Sequence, residues 1–301
     1  MSIARRRLGA TGPWLSEITF GTMRMPAAVD ASAAADHLCL LHDQGIDTHH
    51  SSYEYESHGR YREALSKAKA TGREFQHIVK LSEPSFDADR FNGKRLSALL
   101  DAELSSLDIE QVASLQWLFR TPDAQNSEGR IATMAEQADE IGAWIEAQTK
   151  AGKVANVSVF PYSVDFATAA IDLGLSDTLA TYLNLAELDY VPLLDGVEGF
   201  IAIRPLAGGR LAQADPDAGG DPPPGAVDIS GASAYLQGLD TAAERAAAAI
   251  SFSLLHPAVT TTVVSVSSTS HLESLVQGVA GQQPDQARFN AIVSQLGGEA
   301  S

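Results

Sequence analysis

The chain has 301 residues, 45% hydrophobic and 20% charged, which is the composition of a globular protein with a sizeable core and excludes a chain disordered as a whole. With 38 Asp+Glu against 21 Lys+Arg the formal charge is -17, which repels phosphate backbones and anionic lipid and so excludes nucleic acid and membrane surfaces as general partners. A single cysteine, Cys39, excludes an intramolecular disulfide and a thiolate metal cluster and fits a reducing, cytoplasmic setting.

The opening stretch MSIARRRLGATG has basic residues but no apolar run behind them, so a secretory leader is not expected. Arg7 to Pro13, carrying LGATG, predicts a short hairpin. Eight β-branched runs follow as candidate strands: Ile18–Gly21, His49–Ser52, His77–Leu81, Val112–Leu118, Val154–Val159, Thr181–Leu185, Phe200–Arg204 and Thr261–Val266. Between them lie segments with apolar residues at helical spacing. The clearest helix runs from Ile131 to Ala151 and stops at Gly152, a good C-terminal cap. After strand seven, residues 214–238 are rich in Asp, Gly and Pro and read either as a lid over the barrel mouth or as a flexible loop. A helix beginning at Ser270 has capping-box spacing to Glu273. Pro284 to Leu296 predicts a last helix.

Runs such as VANVSV, FIAIR and TTVVSV are continuous rather than alternating, as parallel strands buried on both faces require. The fold class is therefore α/β, a (β/α)8 TIM barrel with an N-terminal β-hairpin and an extra C-terminal helix, one domain over residues 1–301. An open doubly wound sheet is disfavoured because no G-x-G-x-x-G turn follows the first strand. No stretch approaches the roughly 20 apolar residues of a membrane span.

The chemistry is concentrated in GIDTHHSSYEYESHG, which starts at Gly45, and in Lys80. The stretch resembles the signature G-x-x-x-x-D-T-A-x-x-Y-G of the aldo-keto reductases, whose Asp and Tyr belong to a catalytic tetrad completed by a Lys and a His. In this register His50 stands at the Asp, Ser51 and Ser52 over the Thr-Ala, and Tyr55 at the Tyr; Lys80 stands at the Lys. A second register sets Asp47 and Thr48 on the Asp-Thr pair, but it moves the tyrosine to Tyr53 and spoils the Gly45 spacing. Further pieces occur in the family's order. FGTM, with Gly21, Thr22 and Met23, resembles the strand end beside the nicotinamide. AGKVANVSV is similar to G-K-[IV]-R-x-[IL]-G-V-S, and RPLAGGRL, with Arg204, Leu206, Gly208, Gly209 and Arg210, to the loop under the pyrophosphate.

The resemblance implies NADP or NAD as cofactor and a small-molecule substrate, with Tyr55 protonating a carbonyl oxygen and Lys80 tuning its pKa. A free tyrosine titrates near 10, so proton donation near neutrality needs such a cation. Four departures alter that picture. His50 cannot compensate an ammonium as an Asp does, which leaves Lys80 without a carboxylate, to act as a base itself or to hand that role to His50. Leu118 stands where the tetrad His belongs, one residue after Trp117 and two after Gln116, with Ser52 as a substitute donor. Phe160, Pro161 and Ala180 replace the carboxamide-holding Ser, Asn and Gln. Around the eighth strand, Ser267 and Ser268 remain, but His271 and Leu275 replace the Arg and Asn that grip a 2′-phosphate, so no strong preference for NADPH is implied.

Arg204 has a plainer reading as the partner of an acidic neighbour, and His49 as a residue packed between strand and helix. There is no G-x-S-x-G elbow, no H-E-x-x-H and no P-loop, and the histidines lack metal-ligand spacing. Three functions remain open: a nicotinamide-dependent reductase, a proton-transfer enzyme such as a dehydratase, epimerase or isomerase, and a catalytically silent binding protein. Neither the substrate nor the oligomeric state has a signature in the sequence.

Overall fold

A computed structural model describes residues 2–25, 29–122, 126–213, 227–266 and 268–297. Two short strands, β1 (Arg5–Arg7) and β2 (Trp14–Ser16), pair antiparallel around the predicted turn, with Arg5 opposite Ser16. Eight parallel strands then close into a barrel: β3 (Ile18–Gly21), β4 (Thr48–Ser51), β5 (Gln76–Ser82), β6 (Ser114–Leu118), β7 (Val157–Phe160), β8 (Thr178–Tyr182), β9 (Gly199–Ile203) and β10 (Val259–Val264), the last pairing back onto β3. The helices are α1 (Ala31–Asp43), α2 (His58–Lys69), α3 (Gly93–Leu107), α4 (Ser127–Glu136), α5 (Ala138–Lys150), α6 (Val164–Asp172), α7 (Ser230–Tyr235), α8 (Ala242–Leu254), α9 (Thr269–Val279) and α10 (Gln286–Gln295). No helix among the described residues is long and apolar enough to cross a membrane.

Side chains alternate along each strand. Outward residues such as Phe20, Val79, Trp117, Val159 and Phe200 are buried with the apolar faces of the helices in one large core. Inside the barrel, Ile78, Ala180 and Ile201 form a separate cluster with Leu8 and Leu15 of the hairpin, which thus plugs the bottom. The hydroxyls inside satisfy one another: Thr19 Oγ1 lies 2.8 Å from Thr261 Oγ1, and Ser158 Oγ lies 2.9 Å from both Ser114 Oγ and Thr178 Oγ1.

Four expectations are corrected. The long helix is two, α4 and α5, broken at Gln137, whose side-chain oxygen accepts from Phe91 N at 2.8 Å and takes that residue out of the helical run. The sixth barrel strand ends at Tyr182, because the Asn184 side chain accepts from the Ala186 and Glu187 amides and turns the chain. The α9 cap is Ser268, which accepts from His271 N; a capping box forms instead at Thr241 and Glu244 of α8. Of residues 214–238, those from 214 to 226 lie outside the described residues, and the remainder is docked: Ile229, Ala232 and Leu236 are buried.

Gly45, which ends the turn into β4, has φ +85, and a Cβ there would stand 2.5 Å from Ser2 Oγ and 2.6 Å from Ile3 O. Gly45→Ala is therefore expected to destabilise the fold by about 2 kcal/mol. A urea midpoint unchanged from wild type would contradict that.

Candidate active site at the barrel mouth

The C-terminal ends of the parallel strands form the mouth, where sites in such barrels are built. His50 lies one residue from the end of β4, paired in register between Gly21 of β3 and Ile78 of β5. Its Nε2 is hydrogen-bonded to Gln116 Oε1 across the barrel interior. Burial holds its pKa down at about 4 against the help of the Gln116 bond, with Lys80 adding to the depression, so the ring is neutral at pH 7. The chain then turns: Ser52 O accepts from Tyr55 N at 3.1 Å, and Tyr55 O from His58 N at 2.9 Å as α2 begins. This turn sets the Tyr55 ring 6.2 Å from the His50 ring, centre to centre.

Lys80, in register with Gln116 on β6, points its Nζ over the Tyr55 ring, 4.8 Å from the centre. It does not lack a carboxylate. Glu54 Oε2 lies 2.8 Å from Nζ, and Glu54 Oε1 accepts from Arg120 Nη1 at 2.7 Å. Burial opposes ionisation of Glu54, but the Lys80 ammonium and then the Arg120 guanidinium outweigh it and hold the carboxyl below its ordinary range. Sequence reasoning missed Glu54 because it searched for the carboxylate on the strand. The signal was the acid directly before Tyr55 in YEYES, on a turn that folds back over β5. Arg120 extends this network: its Nε donates to Tyr162 OH at 2.9 Å and its guanidinium lies over the Phe86 ring at 4.7 Å.

Burial, reinforced by Glu54, pushes the Tyr55 phenol well above its ordinary pKa, so it carries its proton at neutral pH. Ser52 is not a spare donor, since its hydroxyl donates to Lys80 O at 3.0 Å and accepts from Glu54 N at 3.3 Å. It fixes the turn instead. Leu118 is buried at the end of β6 and offers no hydrogen bond. Trp117 faces outward, donating to Glu83 O at 2.7 Å, and is core packing. His49 also faces outward, its Nδ1 2.8 Å from Tyr61 OH of α2.

Glu54 sits between two cations with 25% of its side chain exposed. Glu54→Gln is expected to cost about 1 kcal/mol of stability, because it leaves Lys80 and Arg120 facing each other across a neutral amide that solvent only partly screens. Adding Lys80→Met to that variant should recover most of the loss. Chemical denaturation of the two variants checks this, and a double variant no more stable than the single would contradict it.

The positions expected to hold a dinucleotide occupy the adjoining arc of strands, β9, β10 and β3. Gly21 ends β3, Thr22 is buried in the turn behind it and Met23 is exposed on the rim. Beyond β9 the loop from Arg204 is left-handed at Arg204, Ala207, Gly208 and Gly209, with φ between 46 and 102. A Cβ on Gly209 would meet nothing within 4 Å, so this backbone is bare to an incoming group. Leu206 O accepts from Gly209 N at 2.8 Å and shapes the loop. Arg204 Nη1 lies 3.4 Å from Glu187 Oε1 and its guanidinium 4.9 Å from the Tyr182 ring, the plainer role foreseen for it. Ser268 caps α9 beside His271; Ser267 lies outside the described residues. At the position expected for the pyrophosphate, the Ala207, Gly209 and Leu211 amides donate within the loop, and what remains for an anion is open approach at Gly209 and the N-terminus of α9. The fit is poor at the carboxamide, because Phe160 packs 5.2 Å from the Tyr162 ring and 5.5 Å from the Tyr182 ring, and Ala180 is buried inside the barrel.

No family model and no curated protein sequence matches the chain. Among solved structures, aldo-keto reductase AKR11C1 from Bacillus halodurans in its holo form superposes with a TM-score of 0.71 at 16% identity, covering 99% of this chain and 97% of that one. Its apo form gives 0.68 at the same identity and coverage. The chain has the aldo-keto reductase fold. Within that fold the two arcs meet where Gly21 pairs with His50. At 16% identity the likeness concerns the fold, and the chemistry rests on the mouth residues themselves.

Proposed function

We propose that the chain is a nicotinamide-dependent oxidoreductase of aldo-keto reductase type that reduces a small carbonyl or sugar-like substrate. The observation that carries this reading is the convergence of a half-buried phenol, Tyr55, with the Lys80 ammonium 4.8 Å from its ring centre and Glu54 holding that ammonium at 2.8 Å. Gly21, Arg204, Gly208, Gly209 and Ser268 would hold a reduced nicotinamide, which when bound would supply hydride to the carbonyl carbon. Tyr55 gives its proton to the carbonyl oxygen as negative charge builds there. The phenolate left behind is stabilised by Lys80, which Glu54 and Arg120 keep in place. Leu118 gives no second donor, and loss of one such donor costs on the order of a hundredfold in rate. A slow enzyme is the consequence.

Titration of NADPH and NADH by fluorescence tests this. With His271 in place of an arginine at the 2′-phosphate position, the two affinities are expected within about tenfold of each other. No binding of either at millimolar concentration would sink the redox reading.

A second reading is favoured by one observation: the side chains about the carboxamide position, Phe160 and Tyr182, meet edge to face and offer no amide. A proton-transfer enzyme using His50, Tyr55 and Lys80 would need no such grip. It predicts exchange of solvent deuterium into substrate without cofactor, abolished by His50→Ala; exchange that survives that substitution rules it out.

A further inference from the structure

The hydrogen bond between His50 and Gln116 has a polarity that can be worked out. Gln116 Nε2 points at Ala180 O, 3.5 Å away. A carbonyl oxygen only accepts, and turning the amide round would set two oxygens against each other. Gln116 therefore presents its own oxygen to His50, and His50 Nε2 carries the hydrogen. A neutral imidazole has one N–H, so Nδ1 is left with a bare lone pair.

That atom differs from the other buried histidine nitrogens in its place. His49 and His77 face outward under α2, each with Nδ1 against Tyr61 OH and Nε2 sealed in the core. His50 is on the inner face at the mouth, keeps 5% of its surface exposed, and has no group paired with Nδ1 among the described residues. Its ring centre is 6.2 Å from that of Tyr55, so the two rings border the same space at the mouth. Lys80 and Arg120 do not compete for the lone pair, since both are held by Glu54.

We infer that His50 Nδ1 is a specificity-determining acceptor for a substrate hydroxyl, so that the site takes an α-hydroxy carbonyl compound with its carbonyl oxygen at Tyr55 and the adjacent hydroxyl at His50. A hydroxyl satisfies the lone pair. An adjacent second carbonyl, which has no hydrogen to give, is repelled by it, and a plain ketone leaves it unpaired. The placement of the carbonyl rests on the reductase reading; the hydrogen bond at His50 does not.

Two measurements on the full chain test this. In histidine-labelled protein, the 15N spectrum separates an N–H nitrogen from a bare one, with His50 assigned by its loss in His50→Ala. The expected result is hydrogen on Nε2 and none on Nδ1, and a shift of the Nδ1 resonance on adding hydroxyacetone but not acetone. Hydrogen found on Nδ1, or equal responses to the two ketones, overturns the inference. In turnover, the ratio of kcat/KM for hydroxyacetone over acetone is expected to be at least about tenfold in wild type and near one in His50→Ala. A ratio untouched by His50→Ala contradicts the inference. If neither ketone is reduced with NADPH or NADH, the reductase reading fails, and the spectra still decide the role of His50.

Discussion

Tyr55→Phe is expected to lower kcat for carbonyl reduction by about 10²- to 10⁴-fold while leaving nicotinamide affinity within a factor of a few. The substitution removes one oxygen from a ring that is otherwise held by its neighbours, so the Lys80 and His50 contacts survive and binding is spared. The rate falls far because Leu118 provides no alternative donor and Ser52 is committed to the Lys80 carbonyl. Stopped-flow or steady-state rates with a reactive aldehyde, paired with cofactor titration, make the comparison. Turnover equal to wild type would remove Tyr55 from the chemistry and, with it, the reductase assignment.

Acid is expected to unfold the protein well before its carboxylates titrate. Three buried histidines are held neutral in the fold: burial puts His50 at about 4 and His77 at about 3, and holds His49 well below its ordinary value, with His77 and then His42 assisting at His49 and Lys69 at His77. In the unfolded chain each returns to about 6.5 and binds a proton below that pH. The unfolded state thus holds more protons than the folded state in this window, so stability is full above pH 6.5 and falls as pH drops towards the folded values. Each group contributes up to 1.36 kcal/mol per pH unit, so roughly 3–4 kcal/mol is lost between pH 6 and pH 5. Urea midpoints across pH 7 to 5 measure it. His77→Leu should remove about a third of the slope; equal stability at pH 7 and pH 5 would contradict this account of the buried rings.

The barrel was legible because its strands are β-branched runs bounded by turn residues, and β3 falls on the predicted Ile18–Gly21. Boundaries failed where a side chain reached the backbone of a distant or turning segment, as Gln137 does at Phe91 and Asn184 does at Ala186 and Glu187. No periodicity encodes those contacts. At the mouth, the spacing of His50, Tyr55 and Lys80 was readable, and the three do converge. The ion pair beneath them was not readable, because Glu54 reaches Lys80 only once the turn after β4 is folded over β5. For the same reason the electrostatic consequence drawn from His50, an uncompensated Lys80, was wrong: the carboxylate has moved from the strand to the turn.

The central claim concerns where the new hydrogen of the product comes from. Reduced nicotinamide carrying deuterium at its transferable position, incubated with the protein and an α-hydroxy aldehyde or ketone in ordinary water, is predicted to place the label on the former carbonyl carbon. Product formed without label there, or hydrogen exchange with solvent proceeding in the absence of any nicotinamide, would contradict hydride transfer and leave proton transfer as the chemistry of this site.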